Sequence, residues 1–458
     1  MAAPLPARKR GLLEALGLHR PELRAWAMYD WAISSMQTVI VAAVFPVFYL
    51  KVAAAGLPES EGLQSYGVAS TVAAVLIAIL APILGAVADF KAAKKRFLLG
   101  FLLLGVTATA CMFFISQGQL LLAAILFVLS IAGATGSMTF YEALLPHIAS
   151  ESEMDRVSTA AYAFGYFGGG LLLAFNLMWI LNPAAFGLPS GDGLTPDQAS
   201  LPTRIAFVSV GIWWLLFSIP LFRRIPEPPR AIEADEHSKE NPFRVAFQRL
   251  GETIRDMRGY KQAFLAMLAF TIYNDGIQTI IKMAVAFGTD IGLETSSLIT
   301  AILLVQFIGV PFAFAFGQLA RVLGTKLSIM LGLAVYTGIC IFAYGISSER
   351  EFYILACLVG LVQGGTQALS RSLFANMVPK HKSGEFFGFY SVFEKFGGIL
   401  GPLLFAVATG AEGSRVAILW VIGFFVVGGA ILMKVNIKEG ERVAREADAS
   451  MRAQTAAA

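Results

Sequence analysis

Ionisable side chains set inside long apolar runs are where chemistry is to be sought in this sequence. Asp30 lies in the run that starts at Trp26, between Tyr29 and Trp31, ahead of Gln37, Thr38 and an apolar stretch to Phe45-Pro46. Asp275 lies in Tyr273-Asn274-Asp275-Gly276, ahead of Gln278-Thr279. Glu142, Arg371 and the adjacent pair Glu394-Lys395 are enclosed in the same way. A charge at the centre of a bilayer costs about 2.5–3.5 kcal/mol on insertion scales, so such groups face other protein or water and by default mark ion and substrate paths. The chemistry on offer is the handling of ions and protons. Asp30, Glu142 or Asp275 could take up and release a proton. Gln37, Asn274 and Gln278 could hydrogen-bond a solute, Lys395 could hold an anionic group, and Arg371 could form a salt bridge with Glu142. Each also has a plain structural reading, as the partner of another buried charge or of a backbone donor.

Other chemistries lack their residues. His19, His147, His237 and His381 are scattered, and Cys111, Cys340 and Cys357 all fall inside apolar blocks. That pattern argues against a metal cluster and a disulfide framework. There is no glycine-rich phosphate loop ending in Lys-Ser/Thr, so ATP is not expected to drive the protein directly. An enzyme would need a His/Asp/Ser constellation on a loop, which the loops do not offer. A net charge of +4 carries no nucleic-acid footprint. The expected partners are a small-molecule substrate and the lipid bilayer, with no cofactor, a proton gradient as driving force, and a monomeric chain.

The elements that must position these groups are membrane-spanning helices. Of 458 residues 57% are hydrophobic and only 14% charged, and the mean hydropathy is +0.68. The apolar residues come in uninterrupted blocks of about 20, the length a spanning helix needs. Blocks at 24–50, 66–89, 97–115, 119–147, 157–182 and 204–222 are followed by a second set at 261–287, 296–320, 325–347, 352–378, 384–409 and 413–436. The expected architecture is all-α and polytopic, with twelve transmembrane helices in two six-helix bundles. The parts are an N-terminal tail (1–23), a first bundle (24–222), a linker (223–260), a second bundle (261–436) and a C-terminal tail (437–458).

With both termini in the cytoplasm the outer loops hold only Lys51, Arg204, Arg350 and Arg415, and most other basic residues lie inside. This orientation fits a bacterial inner membrane. The N-terminus does not read as a cleavable signal peptide, because only a short apolar piece follows Arg8-Lys9-Arg10. It reads as a frayed basic tail, with an amphipathic turn through Leu12, Leu13 and Leu16 as the alternative. In the linker, Phe243, Phe247, Leu250, Ile254 and Met257 recur at helical spacing between arginines, as in a basic amphipathic helix on the inner leaflet. Thr195-Pro196-Asp197-Gln198 reads as a helix start.

The halves echo each other, which suggests parallel repeats about an axis normal to the membrane. Gly85, Asp89 and Lys94-Lys95-Arg96 follow the second block, and Gly317, Arg321, Gly324 and Lys326 follow the eighth. Asp89 with Lys95 or Arg96 is expected to act as a conformational latch, with Gly85, Arg321 and Gly324 in the corresponding turns. Gly165, Gly168, Gly169 and Gly170 in helix five, and Gly397, Gly398 and Gly401 in helix eleven, would let backbones approach closely.

These features together resemble the major facilitator superfamily, whose signature loop between helices two and three is matched by Gly85, Asp89 and Arg96. The chain departs from that loop at Ala92, where the superfamily has a second glycine. A narrower resemblance is to the vacuole-effluxer-like branch. It is carried by Tyr29-Asp30-Trp31-Ala32 with Phe45-Pro46, Tyr141-Glu142 with Pro146-His147, Gly165-Tyr166 with Gly168-Gly169-Gly170, and Tyr273-Asn274-Asp275-Gly276 with Gln278-Thr279. Gln367 with Ser370-Arg371-Ser372, and Glu385-Phe386-Phe387-Gly388-Phe389-Tyr390, complete the series. Glu394 stands where that branch usually has a small residue. The resemblance implies a major facilitator fold and, in the autophagy-related fungal members, export of amino acids.

On this reading Glu142 and Arg371 pair across the cavity. Asp30, Asp275 and Lys395 border one shared chamber, where the acids and the base hold the two ends of an amino-acid-like solute. The rival within transport is an exporter of amphiphiles, lysolipids or drugs, for which Tyr29, Trp31, Tyr141, Tyr166 and Tyr390 would line a wide aromatic cavity. From another class, a receptor would need a folded soluble domain, and the linker is too short and polar for one.

Overall fold

The computed structural model describes residues 11–230, 241–255, 259–290, 292–396, 400–401, 404–405, 407–408 and 414–457, and no strand occurs among them. Ten of the described helices are long and apolar enough to cross a membrane, and a bent pair, Pro21–Ala43 with Phe45–Ala53, makes an eleventh. The remaining expected span, 384–409, is described mainly over Ser383–Phe396.

The first bundle holds α1 (Pro21–Ser35), α2 (Glu59–Lys91), α3 (Lys94–Cys111), α4 (Leu120–Ile148), α5 (Met154–Leu181) and α6 (Pro196–Arg224). The second holds α7 (Lys261–Asp290), α8 (Thr295–Leu323), α9 (Thr325–Tyr344), α10 (Glu349–Asn376), α11 (Ser383–Phe396) and α12 (Ile422–Met433). The helix α1 continues through wider turns over Met36–Ala43, where Val44 N–H reaches back five residues to Val39 O at 2.7 Å. The chain then bends by 41° ahead of Pro46, whose missing N–H and ring bulk disrupt a regular helix. α6 begins with the expected capping box. Thr195 Oγ1 accepts from Gln198 N–H, and Gln198 Oε1 accepts from Thr195 N–H. It runs from there as one helix, so the start read at Thr195 and the span read at 204–222 are a single element.

Within the first bundle α3 packs on α4, and α1 on α5 and α6; within the second, α10 packs on α8 and α9, and α7 on α12. The bundles meet along two seams, α2 against α11 and α5 against α8. Glycine makes the first seam possible. A Cβ on Gly85 would lie 2.2 Å from Gly384 O, and one on Gly388 would lie 2.6 Å from Pro82 Cα. On the second seam a Cβ on Gly317 would lie 2.3 Å from Thr159 Oγ1. Bare backbone at these points lets helices approach where side chains would hold them apart.

One end of the molecule, called the linker end below, carries the α2–α3, α4–α5 and α10–α11 turns and the segment after α6. The helix Pro242–Arg255 lies there, with Ala246 and Leu250 packed on Ala86 and Val87 of α2. Residues 11–18 are not frayed. Leu12–Ala15 is a helical turn, Leu18 is buried, Arg156 donates to Glu14 O at 2.8 Å and Gln318 to Ala15 O at 2.9 Å. The C-terminal tail is the helix Ile437–Ala457, held at Asp448 by Lys380 N–H and the His381 ring, both at 2.9 Å.

Candidate functional site

The fully buried guanidinium of Arg371 is the centre of the polar core. It projects from α10 of the second bundle into a socket made wholly by the first. Its Nη1 and Nη2 both donate to Asp30 Oδ2 at 3.2 Å, and its Nε donates to Ser158 Oγ at 3.0 Å. Nη2 also reaches Ser158 O at 3.1 Å, and Glu142 Oε1 stands 3.8 Å from Nη1. The acid expected to be the main partner, Glu142, is thus the more distant of two, and Asp30 is the nearer. Three rings enclose the same group. The guanidinium carbon is 4.5 Å from the Tyr162 ring centroid, 4.8 Å from Trp26 and 5.8 Å from Tyr141. The socket is itself braced. Tyr141 Oη donates to Asp30 Oδ2 at 2.9 Å, Trp26 Nε1 donates to Tyr141 O at 3.0 Å, and the Trp26 and Tyr141 rings stack at 4.4 Å. Two acids, a hydroxyl and three aromatic faces around one cation make an ion pair dense enough to offset much of the cost of burying it.

Around this centre the hydrogen bonds joining the bundles gather between mid-depth and the linker end. Ser158 Oγ donates to Ala368 O at 2.7 Å, Thr139 and Ser391 share a bond of 2.7 Å, and Gln306 donates to Thr38 Oγ1 at 2.5 Å. His147 and Ser383 meet at 3.0 Å. Asp155, near the start of α5, accepts from Ser372 of α10 and from Thr325, the first residue of α9, the latter at 2.6 Å.

The latch expected at Asp89 is present with a different partner. Asp89 accepts from the backbone N–H groups of Gly384 and Glu385, at 3.1 and 2.9 Å, and so caps the first turn of α11 across the seam. The open N–H groups and positive dipole end of a helix favour a carboxylate there. The cation on Asp89 is Lys94, buried at 3% exposure, and not Lys95 or Arg96. Successive residues on a helix point about 100° apart, so only one of the three can turn back to α2. Lys95 Nζ instead donates to Phe222 O at 3.0 Å and Ile225 O at 2.5 Å, and Arg96 is exposed. Ala92, the departure from the superfamily loop, stands at φ 50°, the only non-glycine residue with positive φ among those described. The loop therefore keeps a left-handed turn that glycine would adopt more easily. The second-half loop makes its cross-bundle contact through Thr325, which donates to Asp155, and not through Arg321 or Gly324. Gly324 has φ 84° and open space at its Cβ position, and Arg321 is exposed and donates to Gln318 at 3.0 Å.

The shared chamber expected around Asp30, Asp275 and Lys395 is not formed by the first two. Asp30 is engaged by Arg371, while Asp275, buried in α7, accepts from Gly401 N–H at 2.9 Å within its own bundle. A backbone donor on the neighbouring segment satisfies Asp275 where Asp30 had to find a cation. The Lys395 side chain lies outside the described residues, and Glu394 is half-buried. Beside Asp275, Asn274 Oδ1 accepts from Gln367 at 3.4 Å and Gln278 is half-buried. Gln37 is exposed, and its neighbour Thr38 is the residue that meets the other bundle. The residues that sequence reasoning missed are Tyr162, Ser158, Trp26, Lys94 and Asp155. The one available signal was the spacing of Asp155, Ser158 and Tyr162, which puts polar and aromatic groups on one face of α5.

Comparisons with known proteins agree with this architecture. The family model described as "Vacuole effluxer Atg22 like" matches residues 64–445. The chain is 36% identical over 89% of its length to an uncharacterized MFS-type transporter, YxiO, of Bacillus subtilis, of which the match covers 93%. It is 27% identical over 63% of its length to autophagy-related protein 22 of Kluyveromyces lactis, and that match spans 60% of the fungal protein. Among solved structures, the human organic anion transporter MFSD10 superposes with a TM-score of 0.65 at 13% identity, covering 92% of this chain and all of that one. The major facilitator transporter FucP, in its outward conformation, superposes with a TM-score of 0.66 at 14% identity, covering 92% and 99%. At such identities the solved structures speak for the fold alone. The breadth of the family match and the near-complete alignment with the Bacillus protein decide the rest: this integral membrane protein belongs to the Atg22-like vacuole effluxer family of major facilitator transporters.

Proposed function

We propose that the protein is a secondary active carrier of a small organic, amino-acid-like solute, which moves by alternating access between its two bundles and is driven by a proton gradient. The observation that carries this reading is Arg371, a charge on one bundle seated in the acids of the other. A buried ion pair across a joint is a poor device for permanent stability, because desolvation offsets most of its Coulomb gain. It is a good device for a joint that must open and close in one register. Protonation of Asp30 or Glu142 weakens the hold on Arg371, and this is the proposed point of coupling. Asp275 and Asn274, with Gln278 and Lys395, make up the solute-facing surface of the second bundle.

The lysine and arginine bias puts both termini and the linker end in the cytoplasm of a bacterial cell, with the chain working as a monomer in the inner membrane. In that orientation the conformation described is closed toward the cytoplasm. Counterflow in proteoliposomes, with an amino-acid panel beside a lysolipid panel and with or without a pH gradient, tests the reading. Gradient-stimulated exchange of amino acids supports it, and exchange confined to lysolipids replaces it with the amphiphile exporter. Uptake that stays gradient-driven in both Asp30→Asn and Glu142→Gln removes the coupling point assigned to those residues.

A further inference from the structure

The linker helix Pro242–Arg255 presents three kinds of surface in turn around its axis. With successive residues about 100° apart, Val245, Ala246 and Leu250 share one side, and all three are buried. Phe243 and Phe247 come next, 53% and 60% exposed. Arg244 and Gln248 follow, both exposed. The buried side rests on α2, where Ala246 and Leu250 pack with Ala86 and Val87, and Ile83 borders the same cluster. Those α2 residues continue an apolar row. Val68, Val72, Leu76 and Ile79 follow one another at spacings of three or four residues and are exposed, and Ile83 and Val87 extend the row towards the linker end. In a bilayer such a row meets lipid tails, which are as apolar as it is. The linker helix therefore covers the last part of a lipid-facing row, at the boundary of the membrane. The exposed charges beside this contact are positive. Lys91 ends α2 with its Nζ 5.6 Å from the Phe90 ring centroid, and Arg230 lies over the same ring at 4.7 Å and donates to Phe90 O at 2.8 Å. Among the described residues, the acids of the same segments are engaged within the protein. Asp89 holds Lys94 and α11, Glu227 accepts from Lys95 N–H, and Glu252 accepts from Gln248 at 3.1 Å.

We propose that the linker helix is a docking surface for anionic phospholipid of the leaflet at the linker end. Phe243 and Phe247 enter the acyl boundary, and Arg244, with Lys91 and Arg230, meets the headgroup phosphates. The inference uses the membrane-spanning fold and is independent of the carrier's solute and driving force. The order of surfaces around the helix suits this occupant. An interfacial helix gains from apolar burial and from attraction to anionic lipid together. Here the aromatic pair lies between the side docked on α2 and the arginine, so tails and headgroups are met in the order in which a leaflet presents them. A free phosphate ion would use the cations and leave both rings in water. A soluble protein would need the rings turned away from the lipid-facing row that the helix adjoins. Arginine is suited to phosphate, because its planar N–H groups can pair with two oxygens at once.

Two measurements on the full-length chain test the docking surface. In nanodiscs of phosphatidylcholine and phosphatidylglycerol, a nitroxide on Phe247→Cys in a background without other cysteines should be relaxed by dissolved oxygen, which concentrates in hydrocarbon, and shielded from a water-soluble nickel chelate. A nitroxide on Gln248→Cys, about 100° round the helix, should show the reverse. The second measurement is the preference of the detergent-purified protein for phosphatidylglycerol over phosphatidylcholine, read by native mass spectrometry. Arg244→Gln and Lys91→Gln should each lower that preference about fivefold, the order expected for one cation at an anionic surface. Arg244→Lys should change it less than about twofold, and inorganic phosphate should not displace the lipid. The side chains replaced are exposed, so their loss spares the core. A label at position 247 that meets the nickel chelate assigns the rings to water or a soluble partner and overturns the proposal. A lipid preference unmoved by the loss of Arg244 and Lys91 also overturns it, as does displacement of the lipid by inorganic phosphate. Neither measurement involves transport, so failure here leaves the carrier reading standing, and failure of every counterflow assay leaves the lipid surface to be decided by these two.

Discussion

Removing the Arg371 side chain should open the linker end. Arg371→Met keeps most of the apolar volume and deletes the charge. Asp30 is 5% exposed, so the deletion leaves a buried acid without its cation. Breaking a buried pair by removing one partner costs about 3–5 kcal/mol, most of it from the uncompensated charge left behind. That cost falls only on the conformation in which the socket is sealed, because in the open one the acid meets water. A difference of about 3 kcal/mol alters the ratio of two conformations by more than a hundredfold, enough to invert an equilibrium whose states lie within a few kcal/mol. Spin labels at positions 96 and 321, both exposed near the linker end on opposite bundles, would read the change as a distance distribution. The background should replace Cys111, Cys340 and Cys357. Arg371→Met should shift the distribution to longer separations. The triple variant with Asp30→Asn and Glu142→Gln should return toward the wild-type distances, since a neutral socket no longer pays for burial. An unchanged distribution in Arg371→Met would refute the reasoning, as would a triple variant that opens as far as the single one.

Four further outcomes follow from the same contacts. Asp89→Asn removes the charge that holds Lys94 and weakens the cap on α11, so the same labels should report opening, by about 3 kcal/mol for the unpaired lysine; an unaltered distribution would mean that the grip is incidental. Gly85→Ala puts a methyl where Gly384 O now sits, 2.2 Å away, and should prevent closure of the α2–α11 seam, seen as lost counterflow in a protein that still folds. Ala92→Gly relieves a left-handed alanine at φ 50° and should raise thermal stability by about 1 kcal/mol, whereas Ala92→Val should lower it. The Asp448 carboxyl is pushed up by partial burial, but the His381 and Lys380 donors outweigh this and hold it below its usual range. A depressed folded value stabilises above the unfolded value of about 3.9 and loses that stabilisation as pH falls through the folded one. Hydrogen exchange over Ile437–Ala457 should therefore stay slow at neutral pH and accelerate only in acid below about pH 4.

The spans were legible in the sequence because bilayer thickness sets the length of each apolar block, and the described helices begin and end within a few residues of most expected positions. The linker helix and the Thr195 capping box were legible for local reasons, helical spacing in one case and a cap with its glutamine in the other. The tail helix was overlooked although Ile437, Gly440, Ala444 and Met451 recur at helical spacing. Its docking residues are few and small, and the surrounding charge reads as a solvated tail. Partner choice was not legible at all. Lys94, Lys95 and Arg96 are equivalent as a string, and only the direction in which α3 leaves its turn selects Lys94 for Asp89. In the same way, nothing in the run around Asp30 says that its cation comes from α10, since no local pattern encodes how two bundles are laid against each other. Tyr162 was invisible because a tyrosine in an apolar helix is ordinarily packing, and only the arrival of Arg371 gives it another role.

The two seams explain how such a structure can move. At Gly85 with Gly384, Gly388 with Pro82 and Gly317 with Thr159 the bundles touch closely through backbone and small side chains, while Tyr166 of α5 is a large group that enters the other bundle, against Gly309 and Gly364. At those three points the surfaces separate without forcing large side chains out of close-packed cores, which deform poorly. Each bundle can then rotate as a body, and the cost of opening is concentrated in a few polar links near the linker end. Those links differ in kind. The hydroxyl bonds of Thr139, Ser158 and Ser372 contribute about 1 kcal/mol each and exchange readily with water once the seam is wet. Arg371 cannot exchange so simply, because its departure strands Asp30, which water, a proton or another cation must then satisfy. On the carrier reading proposed above, the joint is therefore sensitive to ions at Arg371 and at the Asp89 grip on α11 and less so elsewhere, which is what coupling a conformational change to a dissolved ion requires.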